Sequence, residues 1–173
     1  MNTFGKLEAL KNFTFEKVKY YSIRFEHSEN NEFHDFLNRM EDESEYEEDM
    51  NNLFVWLEYI GQKEGAKEKY FRHEGYNSDA SALPPPSSIM EVHEIPVNDI
   101  RLYCFRLNEH VVALFNGGIK TTDKAQDCPN VSQYFKQANN IVKKLNQLFI
   151  ENELSWNDDF TDIIFDDDLT IEI

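Results

Sequence analysis

Between Lys17 and Glu26 the residues KVKYYSIRFE place Tyr21, Ile23 and Phe25 on one side and Ser22, Arg24 and Glu26 on the other. That two-residue period predicts a half-buried strand. After the polar stretch 27–31, Phe33, Phe36, Leu37 and Met40 recur at i, i+3, i+4 and i+7, which predicts a helix over 31–41. Ser44 and Glu47 have the spacing of a capping box. A second helix is expected from near Glu45, with Tyr46, Met50, Leu53, Phe54, Leu57 and Ile60 on its apolar side and Gly61 as its stop.

Residues 61–88 begin with a stretch able to extend or restart a helix and end in a polar, proline-rich segment without periodicity, read as a loop. Three apolar runs follow, at 89–97, 100–107 and 110–116. They read as three strands, the last two forming a hairpin about Asn108 and Glu109, with Gly117 and Gly118 supplying the turn after it. Pro129 suits a helix start, and Val131, Tyr134, Phe135, Ala138, Ile141, Val142, Leu145, Leu148 and Phe149 form one apolar stripe. Beyond residue 150, Trp156, Phe160, Ile163, Phe165, Leu169, Ile171 and Ile173 punctuate a run of acids, and LTIEI alternates like a short strand. The predicted order, β-α-α-β-β-β-α, implies an α+β domain over 1–150 followed by an acidic C-terminal extension over 151–173.

Charge sharpens this division. The net charge is −16, and two segments without a single Lys or Arg carry all of it. Residues 41–49 hold seven acids and residues 151–173 hold nine; elsewhere seventeen acids face seventeen bases. The first run falls before and within a helix's first turn, where acids favour the positive end of the helix dipole. Between Arg101 and Ile150 the balance is locally basic. Cys104 and Cys128 lack any metal-type spacing and read as reduced thiols. The five histidines have no HExxH-like arrangement, and no phosphate-binding glycine motif occurs, so neither a metal, a nucleotide nor another cofactor is expected. No apolar run is long enough for a membrane span, and the opening residues lack a signal-peptide core, so the expected location is the cytoplasm.

The order of elements, together with the segment IRLYCFRLNEHVVALFNGGIKTTDK at 100–124, resembles the RelE/HigB/ParE superfamily of small bacterial toxins, in its HigB-type or phage-related branch. In that segment a strand opening with Arg is followed by a short turn, an apolar strand and a Lys-containing loop before a helix. The resemblance implies a small antiparallel sheet packed against an N-terminal helical hairpin and a long C-terminal helix. It also implies a toxin-like component of a toxin–antitoxin pair that cleaves RNA, free or on the ribosome, with an antitoxin protein as partner. The attacking 2′-hydroxyl builds negative charge on phosphorus, which cations stabilise while an acid protonates the leaving oxygen.

On this reading Arg101, Tyr103, Lys120 and His110 are the candidate catalytic residues, and Arg106 and Lys124 bind RNA. Arg101 and Tyr103 share a strand face, where Tyr103 can stack on a base; Arg106, five residues on, points the other way. His110 titrates near neutrality. For each of these residues the bland alternative is an ordinary surface charge, a core aromatic or a strand-end histidine. The rival functional class is a non-catalytic protein-interaction module on the same scaffold, because a charge of −16 repels nucleic acid. A further expectation joins the two classes: residues 151–173 fold back and shield the basic segment, held by their apolar side chains.

Overall fold

The computed structural model describes residues 3–75 and 79–173. Its strands are β1 (Phe4–Thr14), β2 (Lys19–Phe25), β3 (Arg72–His73), β4 (Ser81–Leu83), β5 (Ile100–Arg106), β6 (Val111–Ile119), β7 (Ser155–Trp156), β8 (Ile163–Ile164) and β9 (Ile171–Glu172). The helices are α1 (Glu32–Glu41), α2 (Glu47–Tyr59), α3 (Ser87–His93) and α4 (Ser132–Ile150). One seven-stranded sheet runs in the order β3-β4-β5-β6-β2-β1-β9, and β7 pairs with β8 apart from it. Within the large sheet β2 and β6 are parallel, and every other pairing is antiparallel.

Period-two alternation sorts the two faces. On β6, Val111, Ala113 and Phe115 join the core beneath α4, whereas Val112 and Leu114 join the core beneath α1 and α2. On β2, Tyr21 and Ile23 point to the first core and Tyr20 to the second. Both faces are therefore covered, and these central strands are buried almost throughout. Trp56, Tyr20, Tyr70, Phe33 and Phe36 are fully buried on the α1–α2 side. Each such ring contributes on the order of 2–3 kcal/mol by leaving water.

This architecture overturns the expected small antiparallel sheet against an N-terminal helical hairpin. The sheet is mixed and seven-stranded, and α1 packs on β2 and β6 rather than on α2. Local expectations change with it. Residues 4–14 form a strand, β1, whose alternation sends Leu7 to one core and Leu10, three residues on, to the other. The run at 89–97 is not a strand: its N-terminal half lies in α3, which follows the prolines 84–86 and ends with Glu94 in the left-handed region at φ 57°. The loop at 61–88 contains β3 and β4, which extend the sheet edge.

The Ser44–Glu47 capping box does not form, because residues 44–46 make a 3₁₀ turn that leads into α2. Nor does α2 stop at Gly61; it continues through a π-helical turn, 60–64, to Gly65 at φ 82°. The carbonyl of Gly61 accepts the N–H groups of Lys17 and Val18 at 2.8 and 3.0 Å, tying the end of α2 to the start of β2.

Gly117 and Gly118 form no turn. Both lie within β6, where two residues, Phe115 and Asn116, oppose the single Tyr103 on β5. This bulge brings the Gly117 backbone against β5, so that a Cβ there would lie 1.9 Å from the Arg101 carbonyl oxygen.

The segment beyond α4 completes the core. Leu154, Ile163 and Ile171 are buried in the α4-side cluster, Trp156 stacks on Phe149 at 5.2 Å, and β9 pairs with β1. Asp162 accepts a hydrogen bond from Lys19 Nζ at 2.7 Å and another from the Tyr21 hydroxyl. The apolar side chains of the tail are used in finishing this core, and among the described residues no ion pair joins its acids to Arg101, Lys120 or Lys124. No described helix is long and apolar enough to cross a membrane.

Two expected outcomes follow from these contacts. Gly117→Ala loses about 3 kcal/mol or more in urea unfolding, as backbone collisions do; a loss below about 0.5 kcal/mol would contradict the close approach. Asp162→Asn lowers the urea midpoint at neutral pH. Burial raises the Asp162 carboxyl, but donation from Lys19 and Tyr21 outweighs it and holds the group below the usual aspartate range. A depressed carboxylate stabilises above its unfolded pKa and loses that contribution as pH falls. The gap between wild type and variant should accordingly narrow in acid, and a pH-independent gap would refute the ionic tether.

Candidate functional site

The residues expected to form an RNA-cleaving site separate into two places. Arg101 and Lys120 come together because β5 and β6 pair Arg101 opposite Gly118, which leaves Lys120 just past the end of β6. Between them sits Glu74, which follows β3 and has no periodic signal in the sequence. Arg101 Nε donates to Glu74 Oε1 at 2.7 Å, and Lys120 Nζ lies 3.0 Å from Oε2 in an ionic contact without hydrogen-bond alignment. The side chains of Arg101, Lys120 and Glu74 are 14%, 10% and 4% exposed, respectively.

Arg72 adds a further cation nearby. Its guanidinium donates to the carbonyls of Pro84 and Pro85 at 2.8 and 2.7 Å. Burial, then the neighbouring Arg101, lowers its pKa to about 10 against the opposing pull of Glu74. Tyr103 is fully buried against Phe135, its hydroxyl has no hydrogen-bond partner among the described residues, and burial with Glu74 nearby pushes its pKa up. It is a core aromatic here and presents no face on which a base could stack.

His110 stands at the opposite end of β6 from Lys120, ten residues and about 33 Å away at strand rise. Its Nδ1 faces the Lys17 carbonyl at 3.1 Å, and its N–H is held by Asn108 Oδ1 in the hairpin turn. Arg106 donates to the Ala66 carbonyl and lies 3.7 Å from Glu68. Lys124 lies on the exposed loop between β6 and α4. The structure thus gathers Arg101, Tyr103 and Lys120 inside the fold and leaves His110, Arg106 and Lys124 scattered. Cys104 and Cys128 are free, buried thiols.

The β6 bulge builds a second polar centre that the sequence pattern did not signal. Asn116, 1% exposed, is turned toward α1, where its amide nitrogen donates to Glu32 and Asp35, each at 2.8 Å. Its carbonyl accepts from Arg39, which also donates to the Gly117 carbonyl at 2.7 Å and lies over the Tyr134 ring at 4.5 Å. Burial raises the Glu32 pKa, the Asn116 hydrogen bond and Arg39 lower it, and Asp35 adds to the rise. Both polar atoms of the Asn116 side chain are used, so the network fixes α1 against the sheet.

What α1 and α2 then present outward is acidic and partly apolar. The seven acids of 41–49 are exposed except for half-buried Asp49, and none takes part in an ion pair among the described residues. Beside them Phe54 and Val55 are 36% and 44% exposed. A cavity of about 390 Å³ opens between the two helices, floored by Leu37, Met40, Met50 and Phe54 and edged by Glu41, Glu43 and Glu47.

Comparison of the chain with protein families, curated proteins and solved structures finds no match.

Glu74→Gln removes the only carboxylate held between Arg101 and Lys120 among the described residues. The expected loss is about 3 kcal/mol in urea unfolding, the usual consequence of breaking a buried ion pair from one side. A loss under about 0.5 kcal/mol would show that the cluster is solvated and free to serve another role.

Proposed function

We propose that this chain is a non-catalytic protein-interaction module whose acidic α1–α2 surface receives a basic partner protein. The observation that carries this reading is a contrast between the two charged regions. Arg101 and Lys120, the cations expected to act on a phosphate, are largely buried against Glu74, whereas the acids of 41–49 face solvent without basic partners among the described residues. Catalysis of RNA cleavage needs cations aimed at an accessible phosphate. Arg101 and Lys120 point into the protein, and His110 lies too far away to protonate a leaving group at the same site.

The acidic surface suits recognition in another way. Unpaired like charges set up a potential that reaches about 8 Å into physiological salt. They steer a cationic partner into encounter and repel a phosphate backbone.

A direct comparison tests the reading. Fluorescence anisotropy with labelled single-stranded RNA should give no binding at low salt, and incubation with translating ribosomes should leave the message intact. The same intact chain should bind basic protein ligands with an affinity that falls steeply as salt rises. Salt-sensitive RNA binding or message cleavage would instead favour the toxin-like reading.

A further inference from the structure

The cavity between α1 and α2 combines two properties that are seldom found together without a partner. Its floor is apolar: Met40 and Met50 are buried at its base, and Leu37 and Phe54 form its partly open walls. The apolar character continues sideways, since Phe54 stacks on Phe13 at 6.2 Å and Val55 stands exposed beside it. Its edges are anionic, set by Glu41, Glu43 and Glu47.

An apolar floor of flexible methionines adapts to an inserted side-chain row. A helix laid in such a groove places residues i, i+3 or i+4, and i+7 on the floor and turns its flanking positions to the edges. Charge then selects the occupant. Nucleic acid or an acidic segment meets the carboxylates with like charge. A second copy of this chain brings a net −16 and the same acidic edges. The chain's own apolar tail is already committed to the α4 side of the sheet. A basic polar face is what remains complementary.

We infer that this groove seats an amphipathic α-helix of a partner protein, with leucine-like side chains against Leu37, Met40, Met50 and Phe54 and lysine or arginine against Glu41, Glu43 and Glu47. This inference rests on the interaction-module reading and gives it a location and a partner chemistry.

The probe is a synthetic Leu/Lys peptide of about 15–18 residues with helical periodicity, long enough to form a helix on binding. A scrambled peptide of the same composition is its control. The intact chain should bind the periodic peptide about tenfold more tightly than the scrambled one, a difference of about 1.4 kcal/mol. Phe54→Ser should abolish that preference, and the triple variant Glu41→Gln, Glu43→Gln and Glu47→Gln should weaken binding and flatten its salt dependence.

Methyl NMR of the methionines supplies a readout on unmutated protein. The chain has four methionines, and the signals of Met40 and Met50 should shift on titration while that of Met90, on α3, stays in place. Equal binding of both peptides with salt sensitivity, and no shift at Met40 or Met50, would overturn the groove while leaving a basic partner in place. Absence of binding by either peptide at low salt would overturn both readings. Self-association that Phe54→Ser disrupts would make a second copy the occupant and would likewise overturn the inference.

Discussion

The approach of β6 to β5 at Gly117 is the contact on which the middle of the molecule depends. With a hydrogen in place of a side chain, the β6 backbone comes close enough to the Arg101 carbonyl to absorb an extra residue, and Asn116 sits on that bulge facing α1, on the side of Val112 and Leu114. One irregularity thereby sets the seat of α1 through Glu32, Asp35 and Arg39. It also sets where Arg101 and Lys120 emerge at the strand end. A regular ladder across the same residues would reverse the faces beyond the bulge and turn Ile119 away from the α1–α2 core it packs on.

Electrostatically, the fold binds several of its cations into internal contacts and leaves the acids of 41–49 outside. Arg101, Lys120 and Arg72 surround a single buried carboxylate, and Arg39 is bound into the Asn116 network. Lys19 is held by Asp162. These five bases are in this way partly withdrawn from the outer field, while others such as Lys63, Lys69 and Lys136 stay exposed. The acids of 41–49 remain, so the surface a partner meets is more negative than the balanced composition of the body suggests.

Where a segment's own spacing determined its structure, the sequence was readable. The period-3.6 rows of α1 and α4 predicted the buried faces containing Phe33, Phe36 and Met40, and Phe135, Ala138, Ile141 and Leu145. The alternation of β2 predicted Tyr21, Ile23 and Phe25 as buried, but not that Tyr20 and Ser22 on the other side are equally covered. That depends on α1 packing there, as Ser22 Oγ accepting from the Phe33 N–H at 3.2 Å shows. The diglycine misled because a strand under close backbone approach and a turn call for the same residue. The candidate site was the least readable part, since the meaning of Arg101 and Lys120 turns on Glu74, a distant residue in an aperiodic stretch. The groove at 41–54 was visible only in part: its acids stood out, but a run of acids at a helix start has a sufficient local explanation in the helix dipole.

The parallel pairing of β2 with β6 has a kinetic side. Lys19 meets Val111 and Tyr21 meets Ala113, so the centre of the sheet joins positions about 90 residues apart. Closing so long a loop costs chain entropy before the contact returns any energy, and folds dominated by such pairings lie toward the slow end of the range for small domains. While that closure is pending, the apolar faces of both strands stay open to water and to other chains. The abundant negative charge then acts on the unfinished molecule as well as the finished one, holding partly folded copies apart during the interval in which they are most prone to associate.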